Sequence, residues 1–306
     1  MIIGINFPTN IGDTILALPV LDVLRGNFPS AKITAISSSK TRNLLSKNNF
    51  IDEVVLFDKN WTWKKKMYFS LHLRGKFDVF VDLKNSFLPL ILKPKRTTPF
   101  LRFSSKSLHK RIFYLSLIKN LVKDNKTTLR SRIVLSSSRM EEWRGYFSGK
   151  DYLFIGLSSA SSLKSYPPQY LKELISRLNT TKVVLLGGEN DKDFYQGLEA
   201  RNIINLVAQT EIEDVFFLLE NYARLLLTVD CSLLHIGSYL NIPVVALFGP
   251  TPEKLFGPYS QHSLVLKRED LRCRPCQRAQ CKFGDNQCMK IPPQEVIKAI
   301  SEFFKS

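Results

Sequence analysis

Short apolar runs alternate with helix-like patterns along the first half of the 306-residue chain. Short apolar runs predict buried strands, and apolar residues spaced three and four apart predict the helices that cover them. The predicted strands are Ile2–Phe7, Lys32–Ser37, Glu53–Phe57 and Phe77–Leu83, and the predicted helices are Asp13–Asn27 and Thr41–Lys47. Such alternation is typical of parallel βαβ units.

The second half repeats the alternation more clearly. Its predicted strands are Asp151–Leu157, Lys182–Leu186, Ile203–Leu206, Arg224–Val229 and Val244–Phe248, and its predicted helices are Gln169–Leu178, Asp191–Arg201, Glu211–Asn221 and Ser232–Leu240. We therefore expect an α/β protein with two open parallel sheets: one domain over residues 1–148, a second over 149–291, and a final amphipathic helix within 292–306. Ligands bind beyond the carboxyl ends of parallel strands. Two facing halves would therefore leave a cleft between them, with one substrate on each side.

Positive charge is concentrated in the first half. The chain has 44 Lys and Arg against 27 Asp and Glu, and residues 1–145 alone hold 26 of these bases against 10 acids. This asymmetry favours an anionic partner such as a phosphorylated substrate, nucleic acid or an anionic lipid surface, although a general solubilising charge is an alternative. The longest stretch without a charged residue, Cys231–Pro252, is too polar to span a bilayer, and the first residues do not resemble a signal peptide, so we expect a soluble protein.

The first candidate site follows the first predicted strand, in Pro8–Asp13. Gly12 permits a tight turn, and Asp13 lies where the next helix begins. Asp13 could cap that helix, or it could act as a general base that takes a proton from an attacking hydroxyl. The loop lacks the several glycines of a phosphate-binding glycine loop.

Two further loops could bind an anion. Ser158–Pro167 offers hydroxyls, backbone N–H groups and the cation Lys164, and a solvated polar loop is the alternative. After the next strand, Gly188 permits close approach of a ligand and Glu189 could bond a ribose hydroxyl, although a plain turn explains both residues equally well.

The sharpest pattern is Asp230-Cys231-Ser232, which follows a strand and opens a helix. The free N–H groups and the dipole of a helix N-terminus attract anions, and His235 lies about one turn further along the same helix. A cap at Asp230 and a core histidine at His235 are the structural alternatives. Thr251 adds a hydroxyl in the rigid turn that ends the last predicted strand.

Four cysteines near the C-terminus form a separate cluster: Cys273, Cys276, Cys281 and Cys288. The first pair has the spacing of metal ligands, whereas the other gaps are irregular for a zinc ribbon. A structural metal, disulfides and reduced packed thiols all stay open, and none of them implies a catalytic metal.

Two of these motifs together resemble a known family. The segment Asn10–Leu21 (NIGDTILALPVL) with Phe28–Ala31, and later Asp230-x-Ser232-x-x-His235 with Pro243–Pro252, are similar to the signatures of bacterial lipopolysaccharide heptosyltransferases, glycosyltransferase family 9. The chain departs from the family at Cys231-Ser232, where Thr-Gly is usual, and at Ser158–Ala160, where Pro-Gly-Ala is frequent. The resemblance implies a GT-B fold with two Rossmann-like domains facing across a cleft, the first binding the acceptor and the second the nucleotide-sugar.

The resemblance also implies a reaction. Members transfer heptose from ADP-heptose to the Kdo–lipid A inner core of lipopolysaccharide, inverting the anomeric centre without a metal or another cofactor. Asp13 then corresponds to the catalytic base and Lys164 to a basic residue facing the donor diphosphate. We expect donor contacts from Ser158, Ser159, Lys164, Gly188, Glu189, Thr210, Asp230, Cys231, Ser232, His235 and Thr251, and acceptor contacts from Asn10, Gly12, Lys64 and Lys65.

The basic first half then predicts a peripheral attachment. Trp61–Phe69 mixes aromatic and cationic side chains as interfacial segments do, so we expect a cytoplasmic enzyme held at the anionic inner membrane. Binding of single-stranded nucleic acid by the same residues is the less favoured alternative. Another nucleotide-sugar activity such as epimerisation, or an inactive sugar-nucleotide or lipid-binding relative, is the alternative to transfer. The final helix is expected to pack back on the first domain, as in other GT-B enzymes.

Overall fold

The computed structural model describes residues 1–58, 60–100, 107–178, 181–278 and 280–304. The chain divides into two compact units, Met1–Val134 and Leu135–Ser306. No helix among the described residues combines the length and the apolarity that crossing a bilayer requires.

The first unit is built on a five-stranded parallel sheet in the order β3-β2-β1-β4-β5. Its strands are β1 (Ile2–Asn6), β2 (Lys32–Ser37), β3 (Glu53–Leu56), β4 (Val79–Asp82) and β5 (Arg96–Thr97). The central strands are buried along nearly their whole length, because helices cover both faces of such a sheet. This explains why they read as continuous apolar runs.

In the described part of this unit, five α-helices connect these strands or follow the last of them. They are α1 (Ile11–Asn27), α2 (Arg42–Ser46), α3 (Trp63–His72), α4 (Leu88–Leu92) and α5 (Lys110–Leu117). Helix α1 begins five residues after β1 ends, and its middle is buried from Thr14 to Leu24. Asp13 therefore lies in the first helical turn, at the carboxyl edge of the sheet.

The second unit contains a six-stranded parallel sheet in the order β11-β10-β9-β6-β7-β8. Its strands are β6 (Tyr152–Gly156), β7 (Val183–Leu185), β8 (Ile203–Asn205), β9 (Ala223–Val229), β10 (Val244–Phe248) and β11 (Ser263–Lys267). Counted from β6, this is the 3-2-1-4-5-6 order of the Rossmann fold. The order reverses between β6 and β9, which is where such sheets bind their ligands.

Among the residues described for this unit, six α-helices accompany the sheet: α6 (Ser137–Tyr146), α7 (Pro168–Ser176), α8 (Ile212–Tyr222), α9 (Ser232–Tyr239), α10 (Glu253–Phe256) and α11 (Pro293–Phe304). Gly156, at the end of β6, lies so close to α9 that a Cβ there would come within 2.1 Å of Leu233. A glycine is therefore required for the start of α9 to lie against the end of β6.

One predicted helix does not form. In place of an α-helix over 191–201, the chain forms two short 3-10 turns, Glu189–Asp191 at the start of this segment and Asp193–Tyr195 within it. Gly197 has a positive φ of 74°, which stops a helix, and the Tyr195 ring is fully buried. Tertiary packing of this tyrosine thus outweighs the local helical pattern.

The boundary between the units lies before α6, earlier than the predicted boundary at residue 148. The guanidinium of Arg139 and the indole N–H of Trp143 both donate to the carboxylate of Asp214 on α8, with 2.9 Å from Nε and from Nε1 to Oδ1. These contacts join α6 to the second unit.

The final helix α11 also buries its apolar face in the second unit. Val296, Ala299 and Ile300 belong to the core that includes β6, β9 and β10. The sequence analysis placed this face against the first domain, whereas the buried residues contact α7 and β9. An amphipathic pattern shows that a helix has a face to bury, but it does not identify the surface that receives it.

Candidate functional site

The reversal of strand order in the second unit joins two of the predicted loops. The loop after β6 carries Lys164 in a 3-10 turn, Ser162–Lys164, and the loop after β9 carries Asp230. Lys164 Nζ lies 2.7 Å from Asp230 Oδ2. Because Asp230 is 6% exposed and Lys164 29% exposed, the ion pair connects the two loops at the edge of the interior. The structure thus brings together two residues that are 66 positions apart in sequence.

The Ser158 loop is held at both ends. Leu157 N–H donates to the hydroxyl oxygen of buried Tyr195 (2.8 Å), and Tyr166 donates its hydroxyl to the carbonyl oxygen of Ile291 (2.7 Å). Burial raises the pKa of both tyrosines, so each stays a neutral hydroxyl. Within the loop, Ser159 N–H donates to Ser165 Oγ at 3.0 Å. The anchoring tyrosines fix where the serine hydroxyls lie.

Helix α9 begins at this edge without a side-chain cap. Cys231 occupies the N-cap position with an extended backbone, and its side chain makes no capping hydrogen bond. Burial raises the pKa of the Cys231 thiol, outweighing the lowering by Thr228 and by the backbone N–H groups of Leu234 and Leu233. The thiol is therefore neutral at pH 7, and the first turn keeps its attraction for an anion.

A cavity of about 240 Å³ opens beside these loops. Six of the predicted donor residues line it together: Ser158, Ser159, Gly188, Thr210, Cys231 and Ser232. Apolar side chains form another part of the wall: Leu186, Ile212, Val215 and Leu233. Hydroxyls and a helix start on one side and hydrocarbon on the other suit a phosphorylated ligand with a flat base.

Two acidic residues of this cavity were not predicted. Asp191 accepts a hydrogen bond from Gly188 N–H (2.7 Å), and Glu211 is the N-cap residue of α8. Their carboxylates are acceptors for sugar hydroxyls, a role that the sequence analysis gave to Glu189. In the sequence, Glu211 and Asp214 have the spacing of a reciprocal helix cap, which predicts the start of a helix but not a place in a binding cavity.

The other five predicted donor residues are not among the described lining of this cavity: Lys164, Glu189, Asp230, His235 and Thr251. Glu189 is exposed and pairs with Lys192. His235 is buried within α9, and Thr251 is buried in the turn after β10. Their donor contacts stay predictions.

In the first unit, Asp13 lines a second pocket, of about 440 Å³. Asn10 lines it too, as do Lys84 and Asn85 after β4 and Lys110 at the start of α5. Strand order in this sheet reverses between β1 and β4, so this pocket also lies at a switch point. Gly12, Lys64 and Lys65 are not among the described lining residues, and both lysines lie exposed on α3.

Lys84 and Lys110 are two charged residues of this pocket that the sequence did not identify as site residues. The buried carboxylate of Asp82 accepts the backbone N–H groups of Lys84 (3.2 Å) and Ser86 (2.5 Å) and so shapes the loop. Partial burial lowers the pKa of Lys84, opposed by the charge of Asp82. Lys110 Nζ lies over the Phe113 ring, 5.3 Å from its centroid. Lys84 directly follows a strand, so the rule that selected Asp13 could have found it.

The four C-terminal cysteines line one small cavity of about 110 Å³ and are free thiols. Burial raises the pKa of Cys288, and the neighbouring thiols of Cys276, Cys273 and Cys281 raise it further. Across the described parts of the chain, no three His, Cys, Asp or Glu side chains are placed to hold a metal ion.

Two Rossmann-like units, each with a polar site at its switch point, are the architecture of GT-B glycosyltransferases. A family model described as glycosyltransferase family 9 (heptosyltransferase) matches residues 104–286. Lipooligosaccharide heptosyltransferase 2 of Campylobacter jejuni is 26% identical over all of this chain and 99% of its own length. Lipopolysaccharide heptosyltransferase 3 of Escherichia coli is 24% identical over 96% and 97% of the two chains. The chain belongs to glycosyltransferase family 9 and is a glycosyltransferase of the heptosyltransferase type.

Solved structures agree with this fold. A glycosyl transferase family 9 protein from Veillonella parvula has a TM-score of 0.81 at 22% identity, covering 100% of this chain and 97% of its own. The ADP-heptose lipopolysaccharide heptosyltransferase II of E. coli has a TM-score of 0.78 at 19% identity, covering 100% and 99%. The predicted fold class, two parallel-sheet Rossmann-like domains of the GT-B type, is confirmed.

Proposed function

We propose that this glycosyltransferase moves a heptose, or a closely related sugar, from an ADP-sugar to the inner core of a lipopolysaccharide acceptor, with inversion and without a metal. Its family and the names of its relatives support this choice. The observation that carries it is the Lys164–Asp230 pair beside a cavity that gathers six separately predicted donor residues.

The cavity of the second unit fits a nucleoside diphosphate. Leu186, Ile212 and Val215 offer a dry wall for a purine, and Asp191 and Glu211 offer acceptors for ribose hydroxyls. The serine hydroxyls and the first turn of α9 are left for the phosphates. The named ligands of two E. coli heptosyltransferase structures, ADP and ADP-2-deoxy-2-fluoro heptose, support adenine as the base.

Lys164 is proposed to stabilise the leaving group. When the bond between the anomeric carbon and the diphosphate oxygen breaks, negative charge grows on that oxygen. The ammonium of Lys164 and the N–H groups at the start of α9 can neutralise the charge, and this is the task that a Mg²⁺ ion performs elsewhere. Asp230 keeps the ammonium in place and holds the two loops together, so we assign it a positioning role.

Asp13 is proposed to be the general base. Its carboxylate takes the proton of the acceptor hydroxyl, the hydroxyl oxygen attacks the anomeric carbon, and the nucleoside diphosphate leaves from the opposite face. Lys84 and Lys110 line the same pocket and can bind the negative groups of a phosphorylated, carboxylate-bearing core. The mechanism requires this acceptor hydroxyl to reach the sugar held by the second unit. Because that acceptor is a membrane lipid, we further propose that the enzyme works on the cytoplasmic face of an anionic membrane.

Ligand-induced thermal shifts test the donor assignment. ADP and an ADP-heptose should raise the unfolding temperature of the wild-type protein more than UDP- or GDP-sugars at equal concentration. The variant Ser232→Val, at the start of α9, should lose most of the shift, whereas Ser176→Val, at the end of α7, is a control and should keep it. Equal shifts with all three nucleotides would overturn the ADP assignment.

A nucleotide-sugar epimerase is the second candidate that needs a test. The UDP-GlcNAc 2-epimerase of Methanocaldococcus jannaschii shares the fold with a TM-score of 0.53 at 13% identity. An epimerase would change the sugar of its donor without an acceptor. Appearance of an altered or released sugar in the absence of acceptor would favour this class over transfer.

A further inference from the structure

The outward faces of helices α3 and α4 expose an unusual amount of apolar surface. Six large hydrophobic side chains there are exposed: Trp63, Met67, Tyr68, Leu71, Phe87 and Leu90. Three of them are more than two-thirds exposed, namely Trp63 at 71%, Tyr68 at 75% and Phe87 at 68%. Large apolar groups clustered on one surface mark an interaction site, whereas scattered ones are ordinary. We call these six residues the α3–α4 face.

Three of these residues form a stripe along α3. Trp63, Met67 and Leu71 are spaced four residues apart, so they lie on one side of the helix and extend over about 12 Å. Tyr68 lies beside them. A membrane-facing or partner-facing helix has this spacing on its outer side.

The exposure does not come from poor packing of the helices. The inner side of α3 is held by an aromatic cluster, in which the ring centroids of Phe57 and Phe69 are 5.3 Å apart and those of Trp61 and Phe69 are 5.6 Å apart. Leu88 and Leu92 of α4 are buried in the same core cluster as Leu73. Helices α3 and α4 contact each other, so their exposed residues lie on neighbouring helices of the first unit.

The surroundings of this face are strongly basic. Residues 59–77, which include α3, contain six Lys and Arg and no acid, and residues 83–123, which include α4 and α5, contain ten and no acid. Lys64 and Lys65 are exposed on α3 itself, and Lys65 Nζ lies 4.3 Å from the centroid of the Trp61 ring. Arg102 and Lys106 of the second stretch lie outside the described residues.

We propose that the α3–α4 face docks on an anionic lipid bilayer. Its aromatic and aliphatic side chains would lie in the interface, and the exposed lysines of α3 would contact the headgroups. Trp and Tyr prefer the boundary between hydrocarbon and water, and basic residues add attraction to an anionic leaflet. A second copy of the chain would bring two surfaces with a large excess of bases over acids together, which repulsion disfavours. The choice of a bilayer rests on the proposed function, because the acceptor proposed above is a membrane lipid.

Vesicle flotation tests the proposal directly. Full-length protein should float with vesicles of phosphatidylcholine and phosphatidylglycerol at 3:1, and about tenfold less with phosphatidylcholine alone. The triple variant Trp63→Ser, Met67→Ser, Leu71→Ser should lose at least tenfold in binding. The double variant Lys64→Gln, Lys65→Gln should lose more than tenfold, since each lysine near the surface is worth about fivefold.

Matched variants in the second unit provide the controls. Tyr146→Ser with Phe283→Ser removes exposed aromatics there, and Lys172→Gln with Lys298→Gln removes exposed lysines. Both double variants should float like the wild type. Equal losses in the test and control variants would overturn the proposal, because general stickiness or net charge would then explain the binding.

Two further readouts separate the possible failures. The apolar triple variant should transfer sugar to a water-soluble, deacylated acceptor at the wild-type rate and lose rate only on acceptor held in vesicles. Transfer to soluble acceptor by a wild-type protein that does not float would overturn the docking surface and leave the proposed function standing. A wild-type protein that floats with vesicles but transfers sugar to neither acceptor would overturn the proposed function and leave the docking surface standing. A wild-type dimer that the triple variant converts to a monomer would assign the face to a second copy.

Discussion

At the scale of single residues, one ion pair joins the two loops of the proposed donor site, which are distant in sequence. Asp230 is nearly buried, so its charge needs a partner, and Lys164 supplies it. The same ammonium is proposed to meet the donor diphosphate. The carboxylate therefore determines where the cation stands before the substrate arrives.

Replacing Lys164 separates stability from chemistry. Lys164→Met should slow transfer by about 10²–10³ because the leaving group loses its cation. It should also lower the free energy of unfolding, by about 1–3 kcal/mol, because the Asp230 carboxylate is left without its partner. Adding Asp230→Asn should restore most of the stability, measured by urea unfolding, but not the rate. Recovery of the rate in the double variant would rule out the role given to Lys164.

Replacing Asp13 should act on chemistry alone. Asp13→Asn keeps the size of the side chain and removes the base, so the rate should fall by about 10²–10⁴. The thermal shift produced by ADP should stay at its wild-type value, since Asp13 lies in the first unit and the donor cavity in the second. Asp151→Asn removes a half-buried carboxylate paired with Lys182, outside both pockets, so it is the control and should keep full activity. A wild-type rate in Asp13→Asn would mean that another group removes the proton.

At the scale of elements, the apolar pattern predicted those strands that the sheets bury. The bounds of β2 and β10 agree with the prediction because their apolar runs end abruptly. The edge strand β11 is only partly buried and was missed. Helices α3 and α5 were missed as well, because their outward faces carry aromatic and basic residues where a surface helix is usually polar.

The candidate site also contains residues that the sequence pattern predicts and residues that only the packing of the elements brings together. The places of Asp13, Lys164 and the start of α9 after parallel strands could be predicted from the apolar pattern, and their roles stay predictions. Asp191 and Glu211 could not, because their place in the cavity depends on how α8 and the turns after β7 pack. The anchoring role of Tyr195 also depends on a contact 38 residues away in sequence.

The contact between α6 and α8 should make stability depend on acidity. Burial would raise the pKa of Asp214, but the hydrogen bonds from Arg139, Trp143 and the Glu211 backbone lower it below its ordinary value of 3.8. A lowered pKa in the folded state means that the stabilisation is complete above pH 3.8 and is lost as the pH falls through the folded-state pKa.

The variant Asp214→Asn checks this dependence. Its free energy of unfolding should lie below that of the wild type at pH 7, and the difference should shrink as the pH falls below the ordinary carboxyl range. The control Asp270→Asn removes an exposed carboxylate whose surface ion pair with Arg268 is screened by solvent, so it should change stability little at any pH. A difference between Asp214→Asn and wild type that stays constant down to pH 2 would contradict the assignment.

At the scale of the whole molecule, the two units have different electrostatic characters. Residues 1–134 hold 24 bases against 8 acids, whereas residues 135–306 are nearly balanced, with 20 against 19. An anionic, lipid-anchored acceptor suits the first unit. The nucleotide site proposed for the second unit has no such broad positive field, so it depends on local groups such as Lys164 and the first turn of α9.

Salt should therefore affect the two substrates unequally. Raising the salt from about 50 to about 300 mM should raise the KM for a vesicle-held acceptor several-fold, because exposed charges are screened over distances longer than the Debye length. The Kd for ADP, measured by calorimetry, should change less. A larger effect of salt on ADP than on the acceptor would contradict the division of roles between the units.

The most direct measurement is the product of a single reaction. Purified enzyme, ADP-heptose and a Kdo–lipid A acceptor are incubated, and the products are analysed by mass spectrometry and by NMR of the new linkage. We predict one heptose added per ADP released, with the anomeric configuration opposite to that of the donor. Release of free heptose, alteration of the donor sugar, or a linkage that retains the donor configuration would contradict the account.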